Sequence, residues 1–144
     1  MKMNVLYWSA SGNTQMMAET LASSAREAGA QVFIQEVSKA NANEALLSDI
    51  LALGSPAMGA EVIEEEEMEP FVSALEKKGL SGKKLLLFGS YDWGDGEWMR
   101  DWQDRMKAAG AILLCEDLIA HNAPDEDDLN LLSNAAKKAV ATLS

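Results

Sequence analysis

The chain has 144 residues, enough for one domain with a substantial core. Its 23 acids outnumber 12 Lys plus Arg, giving a formal charge of −11, which argues against nucleic acid and anionic membrane surfaces and favours a basic protein partner. Cys115 is the only cysteine, so an intrachain disulfide and a thiolate metal cluster are excluded. Met1-Lys2 runs straight into the first predicted strand without a signal-peptide pattern, and no run is long enough to span a membrane. A cytoplasmic monomer is the expectation.

Met3 to Leu6 reads as a short strand. The turn Tyr7–Thr14 follows, and Met17, Leu21, Ala25 and Ala28 then repeat on one helix face. Gln31 to Val37 is a second predicted strand after the Gly29 helix stop, and Asn43 to Leu47 a short helix. Ile50 to Gly54 is apolar on both faces, as a buried parallel strand should be. Phe71, Val72 and Leu75 mark a helix after Pro70, and Glu64 to Glu67 reads as a solvated loop or first helix turn. Lys84 to Gly89 is the fourth strand. Trp98, Trp102, Met106 and Ala109 share the next helix face. Ala111 to Leu114 is the fifth strand, resumed at Leu118 to Ala120. Asp125 to Leu143 is the last helix, with Leu129, Leu132, Ala136 and Val140 inward. Five βα units predict an α/β fold: a doubly wound, five-stranded parallel sheet covered on both faces, in one domain spanning residues 1–144.

Ligands in such sheets sit beyond the carboxyl ends of the strands. Three loops emerge there: Ser9–Thr14, Ser55–Glu61 and Ser90–Trp98. The first combines Ser9, Ser11 and Thr14 hydroxyls, the Asn13 amide and a permissive Gly12 with the N-terminus of a helix, which suits an anion such as phosphate. No Lys or Arg lies between Trp8 and Met17, so neutral donors alone would hold it; a nucleotide-hydrolysing P-loop needs a Lys there. A hydroxyl-rich helix cap that binds nothing remains the plain alternative. The third loop presents Tyr91, Trp93 and Trp98 among glycines, and exposed aromatics are well suited to covering a planar heterocycle. Met58, between Ala57 and Gly59, offers a soft opposite wall.

Assembled in order, these blocks resemble the short-chain flavodoxins of anaerobic bacteria over essentially the whole length. The matching residues are Tyr7-Trp8-Ser9 with Gly12-Asn13-Thr14, Ala57-Met58-Gly59, Gly89-Ser90-Tyr91, Trp93-Gly94-Asp95-Gly96 with Trp98-Met99, and Asn122 with Pro124-Asp125-Glu126. The resemblance implies the strand order 2-1-3-4-5 and FMN as non-covalent cofactor. Ser9, Ser11, Asn13 and Thr14 would hold its phosphate. Met58 would pack on the inner face of the ring, Trp93 on the outer, and Glu61 would accept from flavin N3–H. Ser90, Tyr91, Asp92 and Gly94 would line the pyrimidine and ribityl edge, with Asn122 toward the ribityl chain. The Gly59–Ala60 peptide resembles the unit that flips with redox state in this family.

Four positions depart from the family pattern. Ala10 stands where the phosphate loop usually has Gly, so a positive φ there would be strained. Pro56 takes a position often held by Ser, Ala60 one often acidic or polar, and Asp92 that of the Gly before the stacking Trp.

The implied function is low-potential one-electron transfer between semiquinone and hydroquinone, with basic flavodoxin or ferredoxin reductases and oxidoreductases as partners. An NAD(P)H-dependent FMN or quinone reductase on the same scaffold is the alternative; no second, basic nucleotide pocket is visible in the sequence. A phosphorylated receiver would need acids at the end of the first strand, and Tyr7-Trp8-Ser9 has none. His121 reads as a structural loop residue, Cys115 as core at the end of a buried strand, Trp102 as core, and Trp98 as a buttress of the third loop.

Overall fold

The computed structural model describes residues 1–143. Its elements in chain order are β1 (Lys2–Tyr7), α1 (Asn13–Glu27), β2 (Gln31–Glu36), a 3-10 turn (Val37–Lys39), α2 (Ala42–Ala45), β3 (Ile50–Gly54), α3 (Met68–Lys78), β4 (Lys84–Tyr91), α4 (Glu97–Ala108), β5 (Ile112–His121) and α5 (Glu126–Leu143). The strands form one parallel sheet in the order β2-β1-β3-β4-β5. The sheet order and its two covered faces are those expected.

Side chains alternate across the pleat, so the central strands feed two cores. Val5, Ala52, Leu86 and Phe88 pack with Met17 and Leu21 of α1 and Leu132 and Ala136 of α5. Leu51, Leu53, Leu85 and Leu87 point the other way, toward Val72 and Leu75 of α3 and Trp102 and Met106 of α4. The two central strands are therefore apolar at every position over Ile50–Gly54 and Leu85–Phe88, and β3 is buried throughout. Gly54 has a packing reason: a Cβ there would run into the Phe88 ring on the adjacent strand.

Several local expectations are corrected. Helix α1 stops at Glu27, leaving Ala28 exposed as its C-cap, because Gly29 at φ 103° turns the chain. Strand β2 gives way at Val37 to the 3-10 turn, and α2 ends at Ala45, leaving Leu47 exposed. Helix α3 begins at Met68, before Pro70; proline is tolerated in a first turn because that N–H has no intrahelical partner. Strand β4 runs two residues past Gly89.

The fifth strand is continuous, with register irregularities between Leu85 and Phe88 of its neighbour and Asp117 at φ 59°. Those irregularities are what made the sequence look like two pieces. Cys115 consequently lies mid-strand, half-buried against the first core, and His121 is the last residue of β5 rather than a loop residue. Helix α5 is closed by a reciprocal cap: Asp128 N–H donates to Asp125 Oδ1 at 2.8 Å and Asp125 N–H to Asp128 Oδ2 at 3.0 Å.

The largest correction concerns Glu64. It is buried, not a solvated member of an acidic run. Its carboxylate accepts the backbone N–H groups of Glu66, Glu67 and Met68, all at 2.8 Å, and so satisfies donors at the start of α3. Its own N–H donates to Ser55 Oγ at 2.9 Å.

Candidate functional site

The carboxyl ends of β1, β3 and β4 converge because all strands are parallel. A cleft of about 340 Å³ opens there, lined by residues of the Ser9–Thr14, Pro56–Met58 and Ser90–Asp92 segments and by Asn122.

At one end of the cleft, Gly12 at φ 96° directs the chain into α1. Positive φ in a non-glycine residue is confined to Glu61, Asp117 and Asn122 among the described residues, so Ala10 is not strained. Ser9 Oγ braces the turn, accepting from Gly12 N–H at 3.1 Å and Gln15 N–H at 3.3 Å. Thr14 is buried, and its hydroxyl lies 3.0 Å from Ser90 Oγ, tying this turn to β4. The backbone N–H groups of Ala10, Ser11, Asn13 and Thr14, and the side chains of Ser11 and Asn13, have no partner among the described residues. This end is a set of unpaired neutral donors at a helix N-terminus, with no cation lining it.

The opposite end is built from two turns. Met58 and Val62 bridge through paired backbone bonds of 2.8 and 3.0 Å, closing a three-residue turn of Gly59, Ala60 and Glu61. Gly59 takes φ 49° and Glu61 φ 55°, the second a strained conformation for a side-chain-bearing residue. Met58 lines the cleft; Gly59, Ala60 and Glu61 do not. The Glu61 carboxylate instead lies against Gly94 Cα, with Oε1 buried and without a hydrogen-bond partner. A hydrogen bond to Glu61, and the charges of Asp101, Glu61 and Asp95, hold the Glu97 carboxyl above its ordinary range.

In the second turn, Asp92 C=O meets His121 Nε2 at 3.0 Å, and the Tyr91 and His121 rings lie 5.1 Å apart. Asn122, at φ 60°, donates its N–H to Tyr91 O at 2.7 Å. Arg100 holds the turn from α4, donating to Asp95 O and to Asp95 Oδ1, and so keeps the Asp95 carboxyl below its ordinary range. Trp93 and Gly94 do not line the cleft, and Trp93 is 58 % exposed. Met58 and Trp93 are thus not brought face to face in this structure.

Behind both turns is a node that sequence reasoning missed. The Ser55 carbonyl accepts the Trp98 indole N–H at 3.1 Å, its hydroxyl anchors Glu64, and Ala57 N–H donates to Ser90 O. A Cβ on Gly89 would run into the Ser55 carbonyl. Trp98 is a buttress, as expected, acting through the second loop as well as the third. Glu64 had one sequence signal: a carboxylate four residues ahead of a helix whose Glu67 N-cap makes no side-chain cap bond.

The Flavodoxin family model matches residues 5–135. Flavodoxin from Clostridium beijerinckii is 47 % identical over 137 residues, covering 95 % of this chain and 99 % of that protein. The chain belongs to the flavodoxin family. Megasphaera elsdenii flavodoxin is 38 % identical over 135 residues, covering 94 % of this chain and 98 % of that protein. The solution structure of its two-electron reduced form covers 96 % of this chain and 98 % of that one, with a TM-score of 0.85 at 35 % identity.

Flavodoxins are FMN-binding electron carriers that serve redox partners, and are electron-transfer proteins rather than enzymes; the reductase alternative is set aside. The residues present fit that cofactor. Unpaired N–H groups at the helix N-terminus suit its phosphate, and the orphaned Glu61 Oε1 suits an imide N–H. Among the described residues, no helix of this flavodoxin is long and apolar enough to cross a membrane.

Proposed function

We propose that the chain, as a single domain spanning residues 1–144, is a low-potential one-electron carrier acting as a cytoplasmic monomer. In this reading Ser9, Ser11, Asn13 and Thr14, with the backbone of Ala10 and Gly12, hold the FMN phosphate. Pro56, Ala57 and Met58 form one wall, and Trp93 swings from its exposed position to the other. Glu61 accepts from the flavin N3–H. Ser90, Tyr91, Asp92 and Gly94 line the pyrimidine and ribityl edge, with Asn122 beside the ribityl chain. The Gly59–Ala60 peptide is the element that reorients with redox state. The flavin supplies the redox chemistry, in this reading the couple between its semiquinone and hydroquinone.

One observation carries the low potential: among the described residues the only charged side chain lining the cleft is an acid, Asp92, and no base lines it. Asp95, Glu97 and Glu61 add negative charge at the ring end, where Arg100 is committed to Asp95. A ring-centred anion is disfavoured in such surroundings. Each uncompensated carboxylate at ~10 Å costs about 1.7 kcal/mol at an effective dielectric of 20. About 1.4 kcal/mol corresponds to ~59 mV for one electron, so two such acids would lower the couple by a hundred millivolts or more.

The test is a visible spectrum of the FMN-loaded protein during stepwise reduction. A blue neutral radical species is expected to accumulate before full bleaching. Direct bleaching without it would overturn the one-electron reading. The same acidic rim favours basic reductases and oxidoreductases through fast encounter. Transfer to such a partner should slow as ionic strength rises; a rate indifferent to salt would remove the electrostatic argument.

A further inference from the structure

The third loop is tied to the fold at two backbone carbonyls, one on each side of Trp93. From α4, Arg100 donates to Asp95 O at 3.0 Å and to the Asp95 carboxylate at 2.9 Å. From β5, His121 Nε2 meets Asp92 O at 3.0 Å. A carbonyl only accepts, so Nε2 carries a proton. Among the described residues this is the sole hydrogen bond made by residues 92–94. The residue before them, Tyr91, still belongs to β4 and accepts the Asn122 N–H.

Only Trp93 and Gly94 stand between the two anchors. Asp92 does not take a positive φ, so no special turn geometry of its own orients the peptide that follows it. A peptide unit is planar, and holding the Asp92 oxygen therefore also fixes the direction of the Trp93 N–H. Backbone freedom is left to Trp93 and to Gly94, which sits at φ 87° and can rotate at the least steric cost. The anchor itself is firmly seated. His121 ends β5 opposite Tyr91, its ring lies 5.1 Å from the Tyr91 ring, and that ring lies 5.5 Å from the buried Trp98.

We propose that His121 is a positioning residue for the flavin. By holding the Asp92 carbonyl it confines movement of the loop to Trp93 and Gly94, so that Trp93 closes on the ring without the preceding peptide having to be ordered at that moment. The proposal rests on the reading in which Trp93 forms the outer wall, and adds what holds the hinge of that wall. Without the tether Asp92 is free as well, and binding must supply the order of one more residue, which lowers affinity by about tenfold.

The test separates the donor from the ring. His121→Phe keeps a ring beside Tyr91 and removes the donor; His121→Gln removes the ring and keeps an amide N–H of similar reach. Riboflavin affinity, measured by calorimetry, is expected to fall about tenfold in His121→Phe and to stay near the wild-type value in His121→Gln. Inorganic phosphate affinity should hold in both. The ¹⁵N order parameter of the Asp92 amide should fall in His121→Phe alone. Wild-type riboflavin affinity in His121→Phe would overturn the proposal. So would equal losses in the two variants, which would assign the effect to ring packing on Tyr91. The Trp93 amide cross-peak keeps the two readings apart. If riboflavin moves it in the wild-type protein, the outer-wall reading stands whatever the variants do; if riboflavin leaves it still, both readings fall.

Discussion

The two ends of the cofactor cleft are built on opposite principles. The phosphate end is neutral and unstrained: Gly12 takes the positive φ, Ser9 Oγ braces the turn, and Ala10 needs no special geometry. The ring end is charged and strained: Glu61 sits at φ 55° with an orphaned oxygen, its carboxylate interacts with that of Glu97, and Trp93 stands exposed. Four unpaired N–H groups in a loop and the helix start that follows it can be set by backbone geometry without a ligand. Uncomfortable carboxylates cannot relax until something donates to them. In the proposed reading the phosphate end therefore recognises its ligand without rearrangement, while the ring end exchanges strain for contact.

The most severe way to break this division is at the node both ends share. Gly89→Ala places a methyl against the Ser55 carbonyl, which is backbone and already holds Trp98. Overpacking against backbone has no inexpensive relaxation, and a loss of about 3 kcal/mol is expected in denaturant unfolding. Retention of wild-type stability would mean that β4 and the Ser55 segment are not locked together.

Glu64→Ala should act more selectively. It removes one carboxylate from three backbone donors at the start of α3. A cost of about 2 kcal/mol follows from losing a cap and leaving donors unpaired. The backbone N–H of residue 64 still donates to Ser55 Oγ, but its segment is no longer tied to α3, so the Met58–Val62 turn should loosen while the Ser9–Thr14 turn does not. Calorimetry with riboflavin and with inorganic phosphate separates the ends: riboflavin affinity should fall and phosphate affinity should hold. Equal losses for both would show that the ends are not independent.

The sheet was legible because its signals are periodic. Ile50–Gly54 and Leu85–Phe88 are apolar at every position, and only a strand covered on both faces can be so. The Ser9–Thr14 turn into α1 was legible because hydroxyls, Gly12 and a helix start lie within a few residues. Glu64 was not legible, because four consecutive acids look alike in sequence; only the fold decides which one reaches the helix end and which three face solvent. The continuity of β5 was hidden by Glu116 and Asp117, polar residues at a bulge that the 3.3 Å-per-residue strand pattern does not anticipate. The orphaned atoms of Glu61 and Trp102 belong to no local pattern, since each depends on what fails to approach from a distant segment.

The subtlest test lies wholly within the ring end. Glu97 is exposed, and its carboxyl titrates above the ordinary range chiefly because of its hydrogen bond to Glu61. An acid with a raised folded-state pKa disfavours folding while both carboxylates are ionised, and that penalty disappears as pH falls through the folded value. Glu61→Gln should therefore move the Glu97 titration, followed by carboxyl ¹³C shifts, down toward the usual glutamate range. It should also flatten the pH dependence of stability in the same window, with stability gained near neutrality and unchanged at low pH. The FMN-loaded protein should show the same downward movement without mutation, because an N3–H donor on Glu61 takes over the role of the shared proton. If loading leaves the Glu97 titration where it was, Glu61 does not face the ring, and the strain at φ 55° serves the Met58–Val62 turn alone.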